Sequence, residues 1–172
     1  MKLRRLVSAA VLGGGYAALT MLIAPLSYGP VQLRFAEGLC ALCFFEPSLS
    51  WGLFVGCAAA NLLSAAGPLD VVLGSLATLG SCLCMGAIGR RGRGMGRCAL
   101  ACLMPVLWNA VVVGAVLAVT TDGGGAFGPL FAVYALQVAA GESVVLFCLG
   151  LPLMRLLPKR RFFTDYLSHL KE

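Results

Sequence analysis

Charge is what this chain has least of: only 12% of its 172 residues are charged, seven residues are acidic, and histidine occurs once, as His169 near the C-terminal end. A soluble domain is about 25% charged and 45–50% apolar, whereas 60% of this chain is hydrophobic and its mean hydropathy is +0.93. That composition excludes a water-soluble globular domain and describes an integral membrane protein. That histidine lies in the polar C-terminal tail, away from the cysteines, so no His/Cys metal-ligand set is expected. No GxxxxGK[ST] loop is present, and Gly13, Gly14 and Gly15 sit in an apolar run without the Lys and Ser/Thr of a phosphate cradle. Neither HExxH nor GxSxG occurs. The composition implies no cofactor, and the chain carries no visible engine: it can bind a molecule and let it pass.

What is present is helical membrane sequence. About 20 apolar residues are needed per crossing, and breaks at Pro, Gly and charge clusters predict six transmembrane helices in one domain over 1–172, at roughly 5–24, 34–46, 49–65, 69–89, 97–120 and 127–157. The second and third are short for a bilayer and are expected to tilt or be shielded by neighbours. The first run, which no clean small-x-small site closes and which further spans follow at once, is expected to be the first permanent helix rather than a cleaved signal.

The net charge of +6 is positioned by topology rather than by a nucleic-acid partner. Lys2, Arg4 and Arg5 precede the first helix; Arg90, Arg91, Arg93 and Arg97 separate the fourth from the fifth; Arg155, Lys159, Arg160, Arg161 and Lys171 end the chain. Six alternating crossings put all twelve on one side, which the positive-inside rule makes cytoplasmic together with both termini. The thirteenth basic residue is Arg34. Eight cysteines include Cys40 and Cys43 in CxxC spacing, Cys82 with Cys84, and Cys98 with Cys102. They lie within apolar helices and read as small hydrophobes, not metal ligands.

An ionisable side chain near the middle of a membrane helix costs about 2.5–3.5 kcal/mol on insertion scales, so it faces the protein interior and pairs or binds something. At about 1.5 Å of rise per residue, Arg34 and Glu37 fall in the outer turns of the second helix and Asn61 near the outer end of the third. Asp70 falls in the first turn of the fourth, Trp108 and Asn109 about mid-way along the fifth, and Gln137 and Glu142 partway down the sixth. All lie between the outer surface and the midplane, which describes a pocket open to the outside. Carboxylates accept hydrogen bonds and carboxamides do both, so the set suits a small flat heterocycle rich in N–H donors. Each residue also has a plainer role. Arg34 and Glu37 can pair with one another, Asp70 can cap its helix, Asn61 and Asn109 can join helices, and Gln137 and Trp108 can pack. Glu46, beside Pro47, reads as a cytoplasmic-turn residue and Gly123–Gly125 as a flexible outer loop. On the first helix, Ala9, Gly13 and Ala17, and in the next register Ala10, Gly14 and Ala18, form small-xxx-small ridges that admit a close helix from this chain or another subunit.

Three segments resemble the QueT family: Ala24-Pro25-Leu26-Ser27-Tyr28-Gly29-Pro30-Val31-Gln32-Leu33-Arg34-Phe35-Ala36-Glu37, Gly52-Leu53-Phe54-Val55-Gly56-Cys57 leading to Asn61-Leu62-Leu63-Ser64, and Gly67-Pro68-Leu69-Asp70 running on to Leu79. Asn109 and the pair Gly141-Glu142 fit the same pattern. The resemblance implies the substrate-binding S component of an energy-coupling factor (ECF) transporter in the bacterial plasma membrane, a six-helix bundle. Such a protein captures a queuosine precursor, 7-aminomethyl-7-deazaguanine or queuine, from outside. It further implies a membrane coupling subunit and two cytoplasmic ATPases as partners, with the S component toppling in the bilayer to deliver its ligand. The first-helix ridge would be the docking surface, with Gly13 or Gly14 where related S components carry Ala. Under that reading Glu37 or Glu142 accepts from the base edge, while the other, or Asp70, meets a cationic amine. An S component for another vitamin, and a membrane-embedded enzyme using Glu37, Asp70 and Glu142, are the competing readings.

Overall fold

The computed structural model describes residues 3–29, 31–122 and 126–171, without the side chains of Asp122 and Lys171. Lys2, Pro30 and the Gly123–Gly125 loop named above lie outside the described residues. Among the described residues every regular element is helical. In chain order these are α1 (Leu3–Leu22), the short α2 (Ala24–Ser27), a 3-10 helix (Phe35–Phe44), a 3-10 turn (Pro47–Leu49) and α3 (Ser50–Asn61). There follow a π-helical turn (Asp70–Gly74), α4 (Ser75–Arg91), α5 (Met95–Asp122), α6 (Phe127–Val145), a second π turn (Leu146–Gly150), α7 (Leu151–Leu156), a 3-10 turn (Leu157–Lys159) and α8 (Arg161–Lys171). Among the described residues, four stretches are long and apolar enough to cross a membrane: Leu3–Leu22, Asp70–Arg91, Met95–Thr121 and Phe127–Lys159.

The second expected α-helix is instead wound as the 3-10 helix Phe35–Phe44, buried at Ala36, Glu37, Gly38, Cys40, Ala41, Cys43 and Phe44. Runs of 3-10 helix beyond three or four residues are uncommon and often mark a functional site or strain. The winding has two consequences. At about 2.0 Å per residue ten residues advance about 20 Å, against about 15 Å for an α-helix. At three residues per turn, side chains at i, i+3 and i+6 eclipse, so Glu37, Cys40 and Cys43 stack along one edge.

The two π turns also have local causes. Pro152 lacks an N–H and its ring crowds the carbonyl four residues earlier, that of Cys148, inside the turn Leu146–Gly150. The thiol of Cys102 donates to the Leu146 carbonyl at 3.5 Å, supplying a partner at this irregularity. The other π turn begins at Asp70, and its Gly74 is required. A Cβ there would lie 2.6 Å from Asp70 Oδ1 and 2.8 Å from Asn61 Nδ2.

Close backbone contact joins α1 to α3. A Cβ at Gly13 would run into the carbonyl of Gly52, one at Gly52 into that of Ala9, and one at Gly56 into that of Gly13. The Ala9–Gly13 register therefore packs within the chain. The other register, Ala10, Gly14 and Ala18, is exposed, and a Cβ on Gly14 would meet nothing within 4 Å.

Arg5, Arg90 and Arg93 gather at one end. Arg5, Glu46 and Arg90 line a common crevice, Arg93 stacks on Phe45 at 5.3 Å, and Phe45 meets Phe163 of α8 edge-on at 5.3 Å. Glu46 accepts from Ser48 N at 3.4 Å and Ser48 Oγ at 2.7 Å, capping the Pro47–Leu49 turn.

Candidate functional site

Inside the bundle, α1 contributes a buried row at Ala9, Gly13, Tyr16 and Thr20, spaced three and four residues apart as one helix face requires. Tyr16 is its polar tip. Its hydroxyl donates to Glu37 Oε1 at 2.5 Å, Thr78 Oγ1 donates to the same oxygen at 3.3 Å, and the Cys40 thiol donates to Glu37 Oε2 at 3.1 Å. Glu37 is fully buried, and each of its oxygens has a protein donor.

Arg34 does not pair with Glu37. Its Nη2 meets Asp70 Oδ2 at 3.3 Å in an ion pair whose side chains are 2% and 1% exposed, and its guanidinium stands 5.7 Å from the centre of the Tyr28 ring. Asp70 thus spends its side chain on Arg34 instead of on a helix cap. Asn61 ties the same corner together, donating to the Asp70 carbonyl at 2.9 Å and to Cys57 Sγ at 3.6 Å.

Across the bundle, Asn109 of α5 donates to Glu142 Oε1 of α6 at 3.0 Å, both buried. Gly141 brings this pair to the Arg34 side, because the carbonyls of Val31 and Gln32 press where its Cβ would be. Gln32 itself is buried at φ +48°, a left-handed conformation that non-glycine residues adopt only when surroundings impose it. Glu142 interacts electrostatically with both Glu37 and Arg34, so the three groups form one polar cluster.

The cluster is only partly satisfied. Asn61 Oδ1, Asp70 Oδ1, Asn109 Oδ1, Gln137 Oε1 and Glu142 Oε2 are buried acceptors without a protein partner, and Arg34 Nε is a buried donor without one. An unpaired buried polar atom costs about 1–3 kcal/mol, and native structures rarely tolerate several together without a use for them.

Of the residues expected from sequence, Arg34, Glu37, Asn61, Asp70, Asn109 and Glu142 are drawn together, with Gln137 half-buried one turn before Gly141. Trp108 does not join them. It is 39% exposed and its ring edge lies over Gly80 of α4. The reading by depth missed Tyr16, Thr78, Tyr28, Gln32, Cys40 and Cys57. Tyr16 was legible in the α1 spacing and Thr78 in the row Asp70, Gly74, Thr78; the thiols, read as hydrophobes, are partly hydrogen-bonding groups.

Residues 6–159 match the family described as QueT transporter. The chain belongs to the QueT transporter family. It is therefore a multi-pass protein of the cell membrane in a family of transporters, not of enzymes. It is also similar to the queuosine precursor transporter QueT of Lactococcus lactis subsp. cremoris (strain MG1363), 36% identical over 76 residues. That similarity spans 43% of this chain and 44% of the relative, less than half of each. No solved structure matches. Every member of the polar cluster falls inside the family match, whereas α8 begins after its end at residue 159.

Proposed function

We propose that the chain is the S component of an ECF transporter and that its buried cluster holds a 7-deazaguanine queuosine precursor, with 7-aminomethyl-7-deazaguanine and queuine as the ligands of choice. The observation that carries this reading is the imbalance of unpaired atoms among the described residues: five oxygens that can only accept, on Asn61, Asp70, Asn109, Gln137 and Glu142, against Arg34 Nε, which can only donate, and the hydroxyls of Ser27 and Ser50, which can do either. A guanine-like edge answers it, because N1–H and the exocyclic amine are parallel donors that a carboxylate and its neighbouring amide oxygen accept together, while the ring carbonyl takes a donor.

Glu37 already has a donor on each oxygen, so its role in this account is to be held in place. Glu142, with Oε2 open, accepts from the base edge beside Asn109. Asp70, with Oδ1 open, meets the cationic amine, and Arg34 donates to the carbonyl. Trp108, outside the cluster, takes no part.

Six crossings with both termini cytoplasmic put this cluster toward the outside and the basic end toward the cytoplasm. The partners are a coupling subunit and two ATPases, which supply the energy this chain has no motif to harvest. The exposed face of Ala10, Gly14 and Ala18 is the docking surface for the coupling subunit. Ala9 and Gly13 are engaged with α3, and Ala17 is half-buried at the edge of the α1–α3 groove.

Titrating the purified protein with a panel of deazaguanines, guanine and common vitamins tests the ligand. Saturable binding of 7-aminomethyl-7-deazaguanine or queuine, tighter than guanine, is the expected result. Tight binding of a vitamin with no response to any deazaguanine would overturn the assignment in favour of an S component for a different heterocycle.

A further inference from the structure

At the basic end of the molecule, α8 folds back against α1. Phe163, Leu167 and Leu170 face inward, a spacing of four and three residues that makes the segment an amphipathic helix. The contact is pinned by Arg5 Nε, which donates to the Leu170 carbonyl at 2.6 Å, and by the edge-on Phe45–Phe163 pair. Along the seam lies an apolar groove of about 430 Å³, walled by Val7, Val11, Leu12, Leu157, Phe162 and Tyr166 among others. Among the described residues its rim stays open. Phe162 is 84% exposed and Val11 71% exposed.

The groove continues into a second crevice of about 520 Å³, since Val7, Ser8 and Tyr166 line both. That crevice is bordered by Arg4 and His169. Arg5 is committed to Leu170, while Arg4 remains exposed on the rim. An apolar trough that opens onto a guanidinium, at the end where Arg90, Arg93 and Arg160 also stand, has the amphipathic order of a phospholipid.

We propose that the α1–α8 seam is a binding site for an anionic phospholipid, with one acyl chain in the apolar groove and the headgroup phosphate at Arg4. The acyl chain is as apolar in the bilayer as in the groove, so the groove supplies position and fit, and Arg4 supplies the choice of headgroup by attracting the anionic phosphate. A lipid lying there bridges α1 and α8 and holds the final helix, which lies beyond the family-matched region, against the bundle. Val7 stands three residues before Ala10 and Val11 three before Gly14, so the seam borders the exposed Ala10–Gly14 face of α1.

Native mass spectrometry of the full chain released from vesicles of equal parts phosphatidylglycerol and phosphatidylcholine tests the site. The wild type retains phosphatidylglycerol roughly fivefold over phosphatidylcholine, the factor that corresponds to about 1 kcal/mol. Arg4→Gln, at an exposed position, brings the two lipids to parity at an unchanged melting temperature, and Val11→Trp, which fills the groove, lowers retention of both. Equal retention of the two lipids by the wild type, retention of neither, or an Arg4→Gln variant with the wild-type preference would each overturn the proposal.

Discussion

Glu37 and Glu142 are both buried carboxylates, yet their surroundings assign them different work. Glu37 is encircled by Tyr16, Thr78 and Cys40, whereas Glu142 has one protein donor and one open oxygen. A hydrogen bond to a charged group is worth about 1.5–3 kcal/mol, and the 2.5 Å bond from Tyr16 is the shortest of the set. Tyr16→Phe is therefore expected to lower stability by about 1.5–3 kcal/mol, read as a fall in the melting temperature of the purified protein, and Thr78→Val by less. Equal losses for the two variants would mean that Tyr16 does not anchor Glu37. At this scale the sequence was informative about which residues matter and poor on who pairs with whom. Arg34 and Glu37 are three residues apart, but the chain is not helical at Arg34 (φ −86°, ψ 84°), which frees the guanidinium to reach Asp70.

Among the elements, the longer spans are visible in composition because a run of apolar residues between charged or Pro/Gly breaks has one reading. Helices expected at 69–89, 97–120 and 127–157 correspond to Asp70–Arg91, Met95–Asp122 and Phe127–Lys159. The 3-10 winding of Phe35–Phe44 is invisible because apolar residues on all sides carry no period to read. The third helix ends at Asn61, short of the expected 65, and α8 was read as a polar tail although Phe163, Leu167 and Leu170 mark its inner face. The two small-residue registers of α1 look alike in sequence, and only packing separates them. Gly52→Ala is expected to wedge α1 from α3 and cost about 1–3 kcal/mol, the usual range for overpacking, while Gly14→Ala, facing open space, leaves the melting temperature unchanged or slightly raised. Thermal unfolding of both variants in detergent decides it; similar behaviour would remove the distinction between the inner and outer registers.

For the whole molecule, the distribution of charge gives the polarity of the fold. The basic Arg93 against Phe45 and the polar cluster around Glu37 sit at opposite ends of the 3-10 helix Phe35–Phe44; the proposed function has the site filled from one side of the membrane and the coupling subunit engaged within it. Replacing Ala10 and Gly14 together with Leu is expected to abolish uptake in cells that carry the coupling subunits while leaving ligand affinity within about twofold. Normal uptake would take the docking surface away from this face of α1.

The account stands most directly on Glu142. Titration calorimetry of 7-aminomethyl-7-deazaguanine into the wild-type protein and into Glu142→Gln compares an acceptor-only oxygen pair with a carboxamide of the same shape. The account predicts saturable binding by the wild type and at least about tenfold weaker binding by the variant, the factor equivalent to about 1.4 kcal/mol. Equal affinity in a variant with an unchanged melting temperature would contradict it.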